Sequence, residues 1–325
     1  MSYKIYNLHQ LNNLIEKMKK LLLAILAALS FSVQAAETIT IMFGAAPSQP
    51  TAAPYRKMLE IANDMQKKYN FIMEFKPGGN GVIALKTMDL SPENRLATVA
   101  PAFVENAKVG LINEADYTPV STQGDACWAI ITNIGDTKKG VVSLKGQKEI
   151  TVGGTGFGNA AHITSLILGE EYGFKVRYIV YKANFDALVN MAGGENINFV
   201  LERVSNYKIF KAKNPKLQIL GINCNQRNET MPEVRTLKEQ GFTTPTIFMS
   251  TVANVKMPES KRNEITAILE EAQAKVGQKY LLEMADLNPP QFNKPRLSVS
   301  EFFDHRVLQM KVYTHRYERQ INESR

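Results

Sequence analysis

The chain has 325 residues, 44% hydrophobic and 22% charged, with a formal net charge of +8. That balance suits one large or two medium globular domains and excludes a chain disordered over long stretches. Residues 1–36 supply +3 of the charge through Lys4, Lys17, Lys19 and Lys20 against Glu16, leaving +5 from Glu37 onward. This surplus suits anionic partners, and no Arg/Lys block interleaved with aromatics points to nucleic acid.

Residues 1–36 read as an N-terminal extension and a secretory signal peptide. Met18-Lys19-Lys20 is a basic start, Leu21 to Leu29 an apolar core, and Val33-Gln34-Ala35 a small-residue cleavage site. Cleavage after Ala35 or Ala36 is expected. Residues 1–17 are unusual before such a signal, so Met18 is a candidate start, with a long polar leader as the alternative. The apolar run is short for a membrane span.

From Thr38 onward, strand-like and helix-like segments alternate. Thr38 to Phe43 predicts a strand, followed by a Gly/Pro/Ser/Thr loop to Pro54 and a helix over Tyr55 to Tyr69. Phe71 to Phe75 is a strand stopped by Pro77-Gly78-Gly79-Asn80-Gly81; a short helix, Val82 to Met88, and a strand, Leu96 to Ala100, come next. Trp128 to Thr132 and Glu149 to Val152 are strands, Asn159 to Tyr172 a helix, Lys175 to Tyr181 a strand, and Phe185 to Ala192 a helix ending at Gly193-Gly194. Ile197 to Leu201 and Leu217 to Asn223 are strands. The last third reads as helical over Glu259 to Ala274, Gln278 to Met284 and Ser300 to Arg319, with capping-box spacing at Ser298 and Glu301. The β-loop-α rhythm predicts an α/β fold with mainly parallel sheets.

In such sheets, ligands bind beyond the carboxyl ends of strands, where helix N-termini present unpaired N–H groups to anions. Two loops fit: Gly44 to Ala53, with Ser48, Gln49, Thr51 and Ala52, and Gly153 to Ala161, with Thr155, Gly156, Gly158, Asn159 and Ala160. Gly156 to Ala161 also matches a G-x-G-x-x-A dinucleotide fingerprint. The following strand ends in Tyr181-Lys182, with no acidic residue for a ribose, so no cofactor is expected. His162 stands near a helix start without a Ser or Cys nucleophile, which favours a structural or ligand-contacting role over catalysis. Glu202, just past a strand, faces either the cleft or an exposed turn. Four scattered histidines and two cysteines make no metal cluster. Cys127 and Cys224 lie in apolar strand-like runs, and a disulfide and two separate buried thiols both fit that placement.

Five landmarks together resemble the Bug family, the periplasmic receptors of tripartite tricarboxylate transporters. Pro77-Gly78-Gly79-Asn80-Gly81 is similar to its R-P-G-A-G-G-N-x-G loop, and Asp116-Tyr117-Thr118-Pro119-Val120 to D-F-T-P-V. Gly156 to His162 is similar to G-x-G-S-x-x-H, Tyr181-Lys182 to V-P-Y-K-G, and Met231 to Phe242 to L-P-D-V-P-T-x-x-E-x-G. The likeness runs from about Ile39 to the C-terminus. It implies a type II periplasmic-binding-protein fold: residues 37–127 and 225–325 form one lobe, 128–224 the other, and two crossover strands join them. Cys127 and Cys224 would then lie near the crossovers, which favours their pairing. The resemblance also implies that the loops grip a ligand carboxylate from both lobes, with Asn80, Gly81 and Tyr181 joining the site. One departure stands out: the family's P-P-G-G-x-x-D loop is replaced by Pro47 to Ala52, with Ala52 in place of the Asp.

The expected protein is therefore a monomeric periplasmic solute-binding protein, not an enzyme, that closes over a small carboxylate and serves membrane permease subunits. The alternatives are a sensor that passes ligand occupancy to a membrane signalling partner and, less favoured, an exported enzyme.

Overall fold

The computed structural model describes residues 15–20, 35–47, 51–224, 226–277, 280, 287–288 and 298–325. The apolar core of the expected signal peptide, Ser48, Gln49 and most of the expected 278–284 helix lie outside the described residues. The chain divides into a unit of residues 1–37, in which 15–20 are helical, and a unit of residues 38–325.

The larger unit holds all but the first residue of β1 (Glu37–Phe43), followed by α1 (Ala52–Met65), β2 (Tyr69–Phe75), α2 (Val82–Met88), β3 (Arg95–Val99), α3 (Ala102–Lys108) and β4 (Tyr117–Ala126). One residue later the chain enters a second sheet: β5 (Trp128–Thr132), β6 (Glu149–Gly154), α4 (Ala160–Tyr172), β7 (Lys175–Val180), α5 (Asn184–Ala192), β8 (Phe199–Arg203), α6 (Val204–Lys211) and β9 (Gln218–Asn223). It then returns through β10 (Ile247–Asn254), α7 (Glu259–Val276), β11 (Leu287–Asn288), α8 (Val299–Arg316) and α9 (Glu318–Glu323).

Two sheets result, ordered β11-β4-β10-β3-β1-β2 and β7-β6-β8-β5-β9. They are mixed, which corrects the expectation of mainly parallel sheets. Strands joined by helical crossovers are parallel: β1 with β3, and β6 with both β7 and β8. Strands that enter from the other lobe run the opposite way: β10 against β3 and β4, and β5 against β8 and β9. After β9, residues 235–237 remain hydrogen-bonded to Ile222, and the chain rejoins the first sheet with Ile247 opposite Ala126.

Patterning explains the packing. In β1, Ile39 and Ile41 alternate with threonines and are fully buried. In α1, Tyr55, Met58, Leu59 and Ala62 recur at helical spacing on one face, which packs on α7 through Ile265, Leu269 and Ala272. Ser298 opens α8 with a complete capping box: its hydroxyl accepts from the Glu301 N–H while Glu301 accepts from its backbone. The first lobe braces the second through its C-terminal helices. Ile163 and Leu166 of α4 share a core with Phe103, Phe303, Tyr317 and Ile321, and Glu170 accepts from the Tyr317 hydroxyl at 2.6 Å and from Arg316 at 2.9 Å.

The two cysteines are bonded to each other. Trp128 and Asn223 are paired across β5 and β9, and Cys127 and Cys224 are the next residues outward, with Cα atoms 5.2 Å apart. That spacing lies within the disulfide range.

Candidate functional site

The carboxyl ends of β1, β3, β6 and β7 converge on one cavity of about 630 Å³ between the lobes, a size typical of small-molecule sites. Antiparallel β5 brings its first residue, Trp128, to the same edge. The first lobe contributes Phe43 to Ala45, Thr51, Gly78 to Gly81, Thr98 to Ala100, Glu105 and Asn106; the second contributes Thr155 to Phe157, Tyr181, Lys182 and Asn184.

The Gly78–Gly81 loop has unusual backbone geometry. Gly78, Gly79, Asn80 and Gly81 have φ values of 116°, 55°, 54° and 94°. Glycine and asparagine are the residues that enter this region at low cost. Within the turn the Gly81 N–H donates to the Gly78 carbonyl at 3.1 Å and the Val82 N–H to the Gly79 carbonyl, so those two are not offered to the cavity; concavities of backbone N–H groups in turns suit anions. The loop is held from below, where Asn106 Nδ2 donates to the Asn80 carbonyl at 3.0 Å. The neighbouring β1 loop is fixed by Gly44, whose N–H donates to Thr98 Oγ1 at 2.9 Å. Thr51 precedes α1 without a side-chain cap.

Across the cavity, the glycine loop of the second lobe touches this platform. A Cβ added at Gly156 would lie 2.5 Å from Asn80 Nδ2, and one at Gly158 would lie 2.6 Å from Glu105 Cγ. Bare backbone is what allows this approach. Asn159 anchors the loop: its Oδ1 accepts from the His162 N–H at 2.9 Å and the Tyr178 hydroxyl at 3.1 Å, and its Nδ2 donates to Thr155 Oγ1 at 3.1 Å. His162 is fully buried, and its Nδ1 accepts from the Gly158 N–H at 3.1 Å. The ring proton therefore sits on Nε2, 3.2 Å from Ser324 Oγ, whose own proton goes to the Gln320 carbonyl at 2.7 Å. Burial pushes the His162 pKa down to about 3, with nearby Arg325 adding to the effect. The ring is a neutral structural acceptor.

Glu105 is buried, lines the cavity and pairs with Arg325. Burial raises its pKa, and Arg325 opposes that shift. Lys182 stands exposed at the rim.

Of the residues singled out from sequence, Thr51, Asn80, Gly81, Thr155, Gly156 and Tyr181 line this one cavity. Ala52, Gly158, Asn159, Ala160 and His162 lie behind it as supports. Glu202 is buried in β8, where Oε1 accepts from the Arg203 N–H at 2.7 Å and from Asn206 Nδ2 at 3.3 Å; it is neither a cavity-lining residue nor part of an exposed turn. Sequence reasoning missed Glu105, Asn106, Trp128, Asn184 and Arg325 as cavity residues. The strand-end rule, applied to Val99 and the Pro101 that follows it, would have found α3 with Glu105 and Asn106. Nothing local marks Arg325, which meets Glu105 from 220 positions away.

A family model described as the tripartite tricarboxylate transporter family receptor matches residues 58–294. Among solved structures, the periplasmic binding protein BugD is 15% identical with a TM-score of 0.69, covering 86% of this chain and 96% of that chain. MatC from Rhodopseudomonas palustris, solved with bound malate, is 16% identical with a TM-score of 0.66, covering 86% and 98%. An R. palustris protein solved with adipate is 15% identical with a TM-score of 0.69, covering 88% and 96%. At these identities the likeness is one of fold. No curated protein matches the chain by sequence.

Proposed function

The chain belongs to the tripartite tricarboxylate transporter receptor family, and on that premise we propose that it captures a small carboxylate between its lobes and delivers it to the membrane permease subunits of such a transporter. The observation that carries this reading is the meeting of two side-chain-poor loops, Gly78–Gly81 and Thr155–Gly156, on opposite walls of one cavity. Backbone N–H groups in such loops bind a carboxylate by charge-assisted hydrogen bonds. MatC and the adipate-bound protein, which share the fold, hold dicarboxylates.

In this reading the protein binds its ligand without turning it over, as befits a family of receptors. It acts in the periplasm as a monomer, after removal of the leader at Ala35 or Ala36, and has no nucleic-acid partner. Ser48, Gln49 and Thr51 supply donors in place of the family's glycine pair. Hinge closure about the β4–β5 and 245–247 crossings is the working motion.

A thermal-shift screen against di- and tricarboxylates, aromatic acids and amino acids tests the reading. A ligand at 100 times its Kd stabilises by about 2.7 kcal/mol, which is readily seen as a rise in Tm. Stabilisation by at least one carboxylate is expected; no stabilisation by any would refute capture. Mass spectrometry of whatever co-purifies would name the ligand directly.

A further inference from the structure

We propose that Arg325 is a ligand-binding residue, whose guanidinium takes a carboxylate of the ligand at the seam between the lobes while Glu105 holds it in place. This deepens the receptor reading and rests on it. Arg325 lines the cavity with 35% of its side chain exposed, whereas the side chain of Glu105 is 5% exposed and lies against the Gly158 backbone. A guanidinium carries five N–H donors. Two have partners among the described residues: Nη2 donates to Glu105 Oε1, and Nη1 donates to Asn322 Oδ1 at 3.2 Å. An arginine that serves only to neutralise a buried carboxylate commonly turns its fork to both oxygens. Here one bond goes to Oε1, and Oε2 takes none. Three donors are left.

Neighbouring elements bring those donors to the anion-suited turn. Glu105 of α3 holds Arg325, and the next residue, Asn106, donates to the Asn80 carbonyl at 3.0 Å. The glycine loop of the second lobe touches both points, since a Cβ at Gly156 would meet Asn80 and one at Gly158 would meet Glu105. Cation, turn and loop therefore surround two adjacent residues of one helix. The turn alone is short of donors, because the Gly81 and Val82 N–H groups are spent inside it. A guanidinium beside it supplies what a carboxylate lacks there. Helix α9, which delivers Arg325, is pinned to the second lobe at both ends. The Tyr317 hydroxyl donates to Glu170 at 2.6 Å, and Ser324 Oγ lies 3.2 Å from His162 Nε2. Ile321 packs in one core with Ile163 and Leu166 between them.

Isothermal titration of the purified protein with succinate, malate, adipate, citrate and benzoate tests this. Arg325→Met, which keeps the stem, should weaken the tightest-binding of these probes by at least about fivefold. Glu105→Gln keeps the shape and removes a charge that competes for the guanidinium, so it should tighten the same probe. It should not do so when Arg325 is already methionine, because Glu105 acts through Arg325; a pair acting only through its summed field would give additive effects. The inference is overturned if a folded Arg325→Met loses less than that, if Glu105→Gln fails to tighten binding, or if it tightens binding equally in both backgrounds. Should circular dichroism show Arg325→Met unfolded, Arg325→Lys takes its place: it keeps the charge without the fork, and undiminished affinity overturns the inference. Absence of binding by every probe overturns the receptor reading itself and this inference with it.

Discussion

Replacing Cys127 and Cys224 together by alanine measures how much stability the cross-link between the ends of β4–β5 and β9 supplies. The bond closes a loop between residues 97 positions apart. In the chain-entropy relation, a cross-link of that span removes about 4.7 kcal/mol of freedom from the unfolded chain, and measured native disulfides return about 2–5 kcal/mol. The backbone should hold, because Trp128 stays paired with Asn223, but Cys127 is 1% exposed and its truncation also costs packing. With a urea slope of about 3 kcal/mol per molar, the midpoint should fall by roughly 0.7–1.6 M. The single tryptophan, Trp128, adjoins Cys127 and reports on this region by fluorescence; circular dichroism reports on the helices. The oxidised protein, the same protein under reductant and the alanine pair form one series. The last two should both lie below the first by both probes, with the alanine pair the lower of the two. Coincident midpoints for all three would refute the reasoning, since the cross-link would then constrain nothing that unfolds.

His162 makes stability pH-dependent in a known direction. Its folded pKa of about 3 lies below the ordinary 6.5, so the unfolded chain binds the extra proton first as pH falls. The contribution is complete above pH 6.5 and drains away toward pH 3, at up to about 1.4 kcal/mol per pH unit. Urea midpoints measured from pH 7 to pH 4 should fall less steeply in His162→Phe than in the parent chain; equal slopes would contradict a buried neutral ring. Two glycines separate backbone strain from contact. Gly173→Ala, at φ 78° with nothing within 4 Å, should cost the left-handed penalty alone, about 1–2 kcal/mol. Gly158→Ala, at φ 69° and facing Glu105, should cost measurably more. Equal losses in urea denaturation would mean that the lobes do not press together there.

The sequence reveals strands wherever apolar and β-branched residues alternate, and helices wherever apolar residues recur every three to four positions. It hides β4. That strand runs through Ser121, Thr122, Gln123 and Asp125 in the interior of its sheet, a composition that reads as loop. Two of those groups find partners far along the chain: Thr122 donates to the Met249 carbonyl at 3.1 Å, and Arg306 Nε donates to Asp125 at 2.9 Å. The Gly153–Ala161 loop was legible because glycine at a strand end has a local meaning; Gly78–Gly81 read locally only as a strand stop and was tied to the site by the resemblance, while the expected Gly44–Ala53 loop lines the cavity through Gly44, Ala45 and Thr51 among its described residues. The walls were not. Trp128 and Asn184 line one cavity only because two segments about 56 residues apart are brought to one edge of the second sheet by its antiparallel entry strand. Helix α6, with its polar and aromatic mix, also carries too little apolar periodicity to stand out.

The run of positive φ angles from Gly78 to Gly81 limits how this kind of protein can change. Four successive positions there lie in a region of backbone space that penalises a Cβ, and only Asn80 carries one, so side chains cannot be added at the three glycines without straining the loop. Variation is left to the surrounding walls, where substitution alters the shape and polarity of the space but not the turn itself. If the loop holds the ligand's charge as proposed, diversification should rewrite which molecular body is welcome and leave that grip intact.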